Sequence, residues 1–261
     1  MINIIIPAYN CSATLGRTLA SLVAQTDQNF ETIIVDDSST ENIKPIVDDY
    51  DDKLSIRYIR HDHNQGCGMS RQTGIDNVSC SHFMFCDADD ILMPYVVETF
   101  NEMIKAEPDT EYVHTFFYEQ TVRGGRPAYI LHQDGFVWCH GKLYSTEAIK
   151  RYDIHEDPSI HWADDSVFNS QCSELLKMKI IRQPMYIWTN TKTSAMRKKD
   201  DFRDREVVKD FLKAMIISCE HVRKYKDTIE HLQVTLGNIE KYVVPGTEEA
   251  EMFEKLKTTY L

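Results

Sequence analysis

The sequence of 261 residues lacks the features that mark several large classes of protein. Nowhere do eighteen apolar residues run together, so we expect no transmembrane helix. The opening stretch MINIIIPAYN has no basic segment before its short apolar run, so we expect no signal peptide. No internal repeat and no low-complexity tract is present. What remains is a globular chain, long enough for one large α/β domain or for one domain with a helical appendage.

Positive charge is scarce. The chain has 29 Lys and Arg residues against 41 Asp and Glu residues, which gives a formal net charge of −12. Nucleic acid and anionic membrane surfaces need a cationic face that displaces counterions. We therefore exclude both as general partners, although a local basic patch stays open.

Paired cysteines are also absent. Seven cysteines form an odd set without a Cys-x-x-Cys pair, which favours neither a disulfide framework nor a zinc-ligand spacing. We expect reduced, buried thiols in a cytoplasmic protein. The seven positions are Cys11, Cys67, Cys80, Cys86, Cys139, Cys172 and Cys219.

Strand and helix patterns alternate over the first hundred residues. Short apolar runs predict buried strands within NIIIPAY, ETIIVDD and HFMFC, and the alternating SIRYIRH predicts a strand nearer an edge. Helical patterns separate them, the first beginning near Leu15 with Ser12 or Thr14 as its cap. This order predicts βαβ units, and hence an α/β fold with a mostly parallel central sheet flanked by helices. Ligands of such sheets bind beyond the carboxyl ends of the strands.

The second half of the chain is less regular. RGGRPAY predicts a turn, GFVWCHGKLYS a strand entering a helix, WADDSVFNSQCSELLK a helix and KIIRQPMYIWT a strand. The polar stretch 191–204 predicts a loop or hinge. From Arg205 onward helical periodicity returns, with further helices expected at 228–242 and 247–259.

An acidic cluster follows the predicted strand HFMFC. Asp87 and Asp89 should project to one side of the chain and Asp90 to the other. Two carboxylates at this spacing can share one hard cation, and Mg²⁺ or Mn²⁺ then completes its shell with substrate phosphates and water. The alternative is a solvated acidic turn in which Asp90 caps the next helix.

Several motifs in order resemble those of family-2 glycosyltransferases with the GT-A fold. They are PAYN, VDDSS, NQGCGMSRQTG and DADD, followed more loosely by HGKLYS and WADDSVF. The resemblance covers about residues 1–195. It implies a Rossmann-like GT-A domain over 1–200, with a nucleotide-binding half (1–100) and an acceptor-binding half (101–200). A helical extension would occupy 205–261.

The resemblance also implies a donor site. The acidic residue after the second strand bonds a uracil-type base in this family, and Asp37 is the better match with Asp36 second. Asp87 would hold the ribose or the metal, and Asp89 would coordinate Mn²⁺ or Mg²⁺. Further donor contacts are implied for Pro7, Ala8 and Tyr9 at the base pocket, Arg71 at the nucleotide, His140 at a sugar hydroxyl and Arg197 at the phosphates. For His140 a structural role, and for Arg197 a solvated basic loop, stay open.

The family places its catalytic base in a Glu-Asp-type pair at the start of a helix, and here the pair reads Asp164-Asp165. Asp165 aligns with the usual base, and Asp164 stands where Glu is more common, so which of the two acts stays open. The alternative is that both carboxylates only complement the helix dipole.

The function implied is inverting transfer of a sugar from a nucleotide-diphosphate sugar, with UDP favoured, to an acceptor hydroxyl. Surface polysaccharide or glycoconjugate synthesis is the usual setting. The alternatives are a metal-dependent nucleotidyltransferase and a catalytically silent sugar-nucleotide-binding protein. PAYNCSATLG lacks the basic density of a nucleotidyltransferase loop, and intact Asp89 and Asp165 count against a silent protein. The tail helices should pack on the sheet domain or on a second copy, giving a homodimer.

Overall fold

The computed structural model describes residues 1–133, 135, 138–160, 164–189, 205–221, 236–237 and 240–260. The strands are β1 (Ile2–Ala8), β2 (Phe30–Asp36), β3 (Ile56–Arg60), β4 (His82–Phe85), β5 (Ile91–Leu92), β6 (Tyr112–Arg123), β7 (Arg126–His132), β8 (Lys142–Ser145) and β9 (Met178–Thr189). The helices are α1 (Leu15–Val23), α2 (Lys44–Asp48), α3 (Cys67–Asp76), α4 (Val96–Ala106), α5 (Thr146–Arg151), α6 (Asp164–Leu175), α7 (Arg205–His221) and α8 (Glu248–Tyr260).

One sheet connects all nine strands. Its order is β3-β2-β1-β4-β8-β6-β9-β5, and β7 pairs with β6. The first four strands run parallel. β8 joins β4 antiparallel and begins the second half of the sheet, which mixes both directions. The predicted α/β fold, with its parallel first strands and flanking helices, is confirmed.

Burial explains the composition of the parallel strands. All seven residues of β1 are buried, because helices cover both of its faces while β2 and β4 pair with its two edges. β3 lies at the edge of the sheet and is only partly buried, as its alternating sequence predicts.

The expected side-chain cap of α1 is wrong. Thr14 is the residue before the helix, but its hydroxyl donates to the Cys11 carbonyl at 3.3 Å, and no side chain caps the helix. The backbone carbonyl of Cys11 accepts the N–H of Leu15 at 2.9 Å instead. A backbone turn therefore provides the hydrogen bond at the start of α1 that a side chain of Ser12 or Thr14 was expected to provide.

The predicted turn RGGRPAY is shorter than expected. Only Gly124 and Gly125 form it, with φ of 57° and 77°, and the register pairs Arg123 with Arg126. Two-residue hairpin loops with positive φ at both positions match the twist of the flanking strands. Residues 126–132 therefore form a strand, β7, that the sequence analysis missed.

The tail helix α7 packs on the sheet domain through α6. Ala214 is fully buried in a cluster with Ile160 and Val167, and Lys213 donates from Nζ to the Ser159 hydroxyl at 2.7 Å. α8 in turn packs on α7. The first of the two expected arrangements of the tail is therefore present, whereas a homodimer stays a prediction.

Two further helices were expected in the tail, and the structure confirms one of them. The helix expected at 247–259 is confirmed as α8. Of the helix expected at 228–242, most residues lie outside the described ranges, and Glu240–Tyr242 form a 3₁₀ turn. Across the described ranges, no helix has both the length and the apolar content that crossing a bilayer requires.

Candidate active site

The acidic loop after β4, residues 87–90, is fastened to β9. The Tyr186 hydroxyl accepts the backbone N–H of Asp87 at 3.0 Å and donates to Asp90 Oδ2 at 2.7 Å. The backbone N–H of Thr189 donates to Asp90 Oδ1 at 2.7 Å. The expectation that Asp90 caps the next helix is therefore wrong, since α4 begins only at Val96 and Asp90 is a fully buried anchor.

Asp89 and Asp87 form the part of this loop that fits a hard metal ion. Burial and the nearby charge of Asp87 raise the pKa of Asp89 to about 6. Arg17 donates to the backbone carbonyl of Asp89 at 2.6 Å, but no described side chain forms an ion pair with the Asp89 carboxylate. Two neighbouring carboxylates, one without a cationic partner, are a donor set that suits Mn²⁺ or Mg²⁺.

Arg71 connects the acidic loop to the start of α6. Its buried guanidinium donates to Asp164 Oδ2 at 2.8 Å and to Asp87 Oδ1 at 3.2 Å. α3 carries Arg71, and Gly68 lets this helix approach α6, because a Cβ at Gly68 would lie 3.1 Å from Asp164 Oδ2. The structure therefore brings together three residues that the sequence analysis had placed in separate motifs.

Asp165 stands beside this ion pair without a cationic partner of its own among the described side chains. Burial, then the charge of Asp164, raises the pKa of Asp165 to about 7, while Arg71 and Lys142 act in the opposite direction. Asp164 is engaged by Arg71. The two adjacent carboxyl groups thus differ in environment, and a carboxyl group with the pKa of Asp165 can exchange a proton near neutral pH.

His140 lies against the acidic loop. Its Nε2 is 3.9 Å from Asp87 Oδ2, and its ring stacks on Tyr186 at a centroid distance of 5.0 Å and on Trp188 at 5.7 Å. Burial lowers the pKa of His140 to about 4, so the imidazole is neutral at physiological pH.

Lys142 supports the segment that carries His140. Its buried ammonium group donates to the carbonyl of Gly135 at 2.7 Å and to the carbonyl of Trp138. Burial lowers the pKa of Lys142 to about 8. Its bonds are to backbone carbonyls, so Lys142 fixes the chain before β8.

Asp37 organises the turn that leads into α3. Its carboxylate accepts the N–H groups of Gln65 and Gly66, each at 2.8 Å, and lies 2.8 Å from His61 Nδ1. Gly66 adopts a φ of 93°, which favours glycine. Asp37 thus connects the end of β2 to the helix that carries Arg71.

Asp36 is the last residue of β2 and is fully buried. Its carboxylate accepts hydrogen bonds from Tyr58, from Arg60 and from the backbone N–H of Ser39 at 2.9 Å. Desolvation opposes these bonds, but their sum lowers the pKa of Asp36, so it is a carboxylate at neutral pH.

The end of β1 lies beside both aspartates. Ala8 is opposite Asp36 in the register, and the Ala8 carbonyl accepts the N–H of Asp37 at 2.8 Å. Pro7 is buried in β1, whereas Tyr9 is 49% exposed at the rim. The predicted base-pocket residues therefore meet at one edge of the sheet, and their roles stay predictions.

One predicted residue cannot be placed and one candidate was missed. Arg197 lies outside the described residues. Glu156 is 2% exposed, and neither oxygen of its carboxyl group has a hydrogen-bond partner. Burial and the charge of Asp164 raise the pKa of Glu156 well above its ordinary value. Glu156 stands in the polar stretch HEDPS, which predicts an exposed turn, so no sequence signal points to it.

Solved structures with a similar fold include two nucleotide-binding glycosyltransferases. Residues 1–349 of Staphylococcus aureus TarS in complex with UDP align with a TM-score of 0.69 and 19% identity, over 86% of this chain and 66% of that chain. TarS has also been solved with UDP-GlcNAc. The mannosyltransferase PcManGT of Pyrobaculum calidifontis, in complex with GDP-Man and Mn²⁺, aligns with a TM-score of 0.59 and 13% identity, over 98% of this chain and 79% of that chain. These likenesses show the GT-A fold.

A family profile identifies the family, and sequence relatives agree with it. The Bacillus subtilis protein described as uncharacterized glycosyltransferase EpsJ is 25% identical over 217 residues, which cover 74% of this chain and 62% of the relative. The chain spans between 38% and 62% of the length of the first curated relatives it matches. The profile of Glycosyl transferase family 2 matches residues 3–181, more than half of the chain. The chain belongs to glycosyltransferase family 2, and it has the GT-A fold.

Proposed function

We propose that the chain is a metal-dependent, inverting glycosyltransferase that moves a sugar from a UDP-sugar to an acceptor hydroxyl. The bridge made by Arg71 carries this proposal. It joins Asp87 of the acidic loop to Asp164 at the start of α6. The adjacent Asp165 is left with a pKa of about 7. A general base works best when its pKa lies near the operating pH.

In the proposed reaction Asp165 accepts the proton of the acceptor hydroxyl. The oxygen attacks the anomeric carbon while the bond from that carbon to the diphosphate oxygen breaks, so one displacement inverts the configuration. General-base catalysis of this kind contributes about 10² to 10⁴ in rate. Arg71 forms an ion pair with Asp164, the first residue of α6. This ion pair fixes the position of the first turn of α6 relative to the donor side of the site.

The proposed base pocket consists of Asp37, with Asp36 second, and of Pro7, Ala8 and Tyr9. An ionised carboxylate offers about four acceptor positions. Asp37 uses three of them inside the protein, which leaves one for a ring N–H of the base. The UDP bound to TarS supports a uridine nucleotide.

Asp89 and Asp87 would hold Mn²⁺ or Mg²⁺. Such an ion would neutralise charge on the departing diphosphate, which is worth several kcal/mol of barrier. The Mn²⁺ in PcManGT supports this assignment. In the same proposal His140 contacts a sugar hydroxyl and Arg197 offsets phosphate charge. We place the reaction in the cytoplasm, in the synthesis of a surface polysaccharide or glycoconjugate, by analogy with the family.

The proposal predicts that UDP stabilises the protein only when Mn²⁺ or Mg²⁺ is present. A ligand that binds the folded state alone, at about 100 times its Kd, adds about 2.7 kcal/mol to the free energy of unfolding. The measurement is the melting temperature with UDP, GDP and dTDP, followed by nucleotide release from the matching sugars. Asp89→Ala should remove the metal-dependent part of the shift. If no nucleoside diphosphate raises the melting temperature, the donor site is misassigned.

A further inference from the structure

Three potential metal ligands of different chemical kinds converge beside the acidic loop. They are Asp87, Cys139 and His140, and one ligand atom from each lies within 4.8 Å of the others. Cys139 and His140 are adjacent in sequence, a spacing that does not mark a zinc site. The fold supplies the third ligand from the loop after β4, so the cluster exists only in three dimensions.

Two side chains of this cluster are buried, and one of them, His140, makes no hydrogen bond to a described residue. Cys139 is 2% exposed and His140 is 7% exposed. His140 Nδ1 is buried without a hydrogen-bond partner, and its Nε2 lies 3.9 Å from Asp87 Oδ2, too far for a hydrogen bond. A buried polar group without a partner costs about 1–3 kcal/mol. An imidazole kept in this state beside a thiol and a carboxylate is free to bind a ligand.

We propose that Asp87, Cys139 and His140 bind Zn²⁺ or another thiophilic divalent ion, with water in the fourth position. Zinc bonds to sulfur, nitrogen and oxygen are about 2.0–2.3 Å long, so tetrahedral ligand atoms lie about 3.5 Å apart. The three ligand atoms must therefore come closer together by about 1 Å when the ion binds. Three protein ligands and one open position are typical of zinc sites accessible to small molecules.

The charges of the bound state balance. The Cys139 thiol gives its proton to solvent when sulfur binds the ion, and no group is oxidised or reduced. One thiolate and the Asp87 carboxylate then neutralise the two positive charges, and His140 contributes a neutral imidazole. Arg71 bonds Asp87 through Oδ1, which leaves Oδ2 for the ion. A thiolate favours Zn²⁺ over Mn²⁺ or Mg²⁺, which prefer oxygen ligands.

Occupation of this site should inhibit the enzyme. Asp87 and His140 belong to the proposed donor site, so an ion that holds both removes them from contact with the donor. The cluster would therefore make the transferase sensitive to thiophilic metals at concentrations where Mn²⁺ still activates it. Cys139 is the ligand that distinguishes this cluster from the pair of oxygen ligands at Asp89 and Asp87.

Titration of the full-length protein with Co²⁺ tests the site without reference to activity. Cobalt bound to a thiolate shows sulfur-to-metal charge-transfer absorption in the near ultraviolet, which oxygen ligands do not give. We expect one equivalent of Co²⁺ to produce this band, Zn²⁺ to displace it, and one proton to be released per ion. Asp89→Asn should keep the band, because this variant alters only the hard-metal site.

Variants locate the site. Cys139→Ser should remove the band, whereas Cys11→Ser, which changes a thiol outside the cluster, should keep it. His140→Gln should weaken Co²⁺ binding at least tenfold. This second variant tests the site even if Cys139→Ser does not fold. Absence of the band in the wild-type protein, its persistence in Cys139→Ser, or unchanged affinity in His140→Gln would overturn the proposal. Zn²⁺ inhibition of sugar transfer, relieved in Cys139→Ser, is expected in addition.

Discussion

At the scale of single residues, Asp164 and Asp165 are identical side chains in different environments, because the buried cation of Arg71 forms an ion pair with only one of them. Arg71 donates a hydrogen bond to Asp164 Oδ2 at 2.8 Å. Asp165 lacks such a partner among the described side chains, and burial raises its pKa to about 7. A carboxyl group whose pKa is raised towards neutral pH suits the role of a general base. The structure therefore favours Asp165 as the base.

We predict that kcat/KM rises with pH through about 7. Below this pH Asp165 holds a proton, because burial favours the neutral acid, and it cannot accept another. Between about pH 4 and 7 the same shift makes folding less favourable as pH rises, since the unfolded chain gives up the proton first. The charged groups that influence Asp165 are Asp164, Arg71, Asp87 and Lys142.

The pH dependence is measured as kcat/KM, which reports the pKa values of the free enzyme, over the range in which the protein stays folded. A profile that is flat from pH 5 to 8 would contradict the assignment of Asp165. Arg71→Gln is the informative variant. It removes the cation that lowers the pKa of Asp165, so the midpoint should move to higher pH.

Residue types were easier to predict than their partners. Asp87, Arg71 and Asp165 each stand in a motif that the sequence displays. Asp90 was misassigned because its partners, Tyr186 and Thr189, lie about a hundred residues away on β9, and no local pattern records that contact.

At the scale of secondary-structure elements, β9 holds the acidic loop in place. One hydroxyl, that of Tyr186, satisfies both the Asp87 N–H and Asp90 Oδ2. The loop therefore owes its shape to a strand at the other side of the sheet. This arrangement presents Asp87 and Asp89 in a fixed position, as a metal site requires.

We predict that Tyr186→Phe destabilises the fold by about 1–3 kcal/mol, because two buried groups lose their shared partner. It should also weaken Mn²⁺ binding, measured by calorimetry, because the acidic loop is released. Tyr95→Phe is the matched control. It removes a hydroxyl bond of 2.8 Å to Pro184, which is also on β9 but away from the loop. Equal Mn²⁺ affinity in wild type and Tyr186→Phe would show that the loop does not depend on this hydroxyl.

The parallel strands could be predicted and the hairpin could not. β1, β2 and β4 are short apolar runs whose burial on both faces leaves a clear sequence pattern. β7 is mostly exposed, with Tyr129 and Leu131 at its surface, and its sequence begins in a turn-like Gly-Gly-Arg-Pro. Pairing with β6 determines the structure of β7, and the hydrophobic periodicity of a sequence does not show which strands pair.

At the scale of the whole molecule, the tail packs on the helix that carries the proposed catalytic pair. α7 packs on α6, the helix whose first turn carries Asp164 and Asp165. The contact is close, because Ala214 is fully buried at the interface. The C-terminal extension is therefore expected to influence turnover although it carries none of the proposed catalytic residues.

We predict that Ala214→Leu lowers kcat while donor affinity changes little. The larger side chain overpacks the contact with Val167, which costs about 1–3 kcal/mol and displaces α6. Val208→Leu is the control, since Val208 is buried between α7 and α8 and is not part of the contact with α6. Both variants should lose stability, and only Ala214→Leu should lose turnover at a temperature where both are folded. A similar loss of kcat in the two variants would mean that the effect follows general instability.

The central claim, that Asp165 is the catalytic base, is tested most directly by comparing Asp165→Asn with Asp164→Asn. The account predicts that Asp165→Asn binds UDP and Mn²⁺ as the wild type does, while kcat falls about 10² to 10⁴ without a rise in KM. Asp164→Asn should lose less, because Asp164 acts through its bond to Arg71. An inactive Asp164→Asn beside an active Asp165→Asn would reverse the assignment, and wild-type turnover in both would place the base elsewhere.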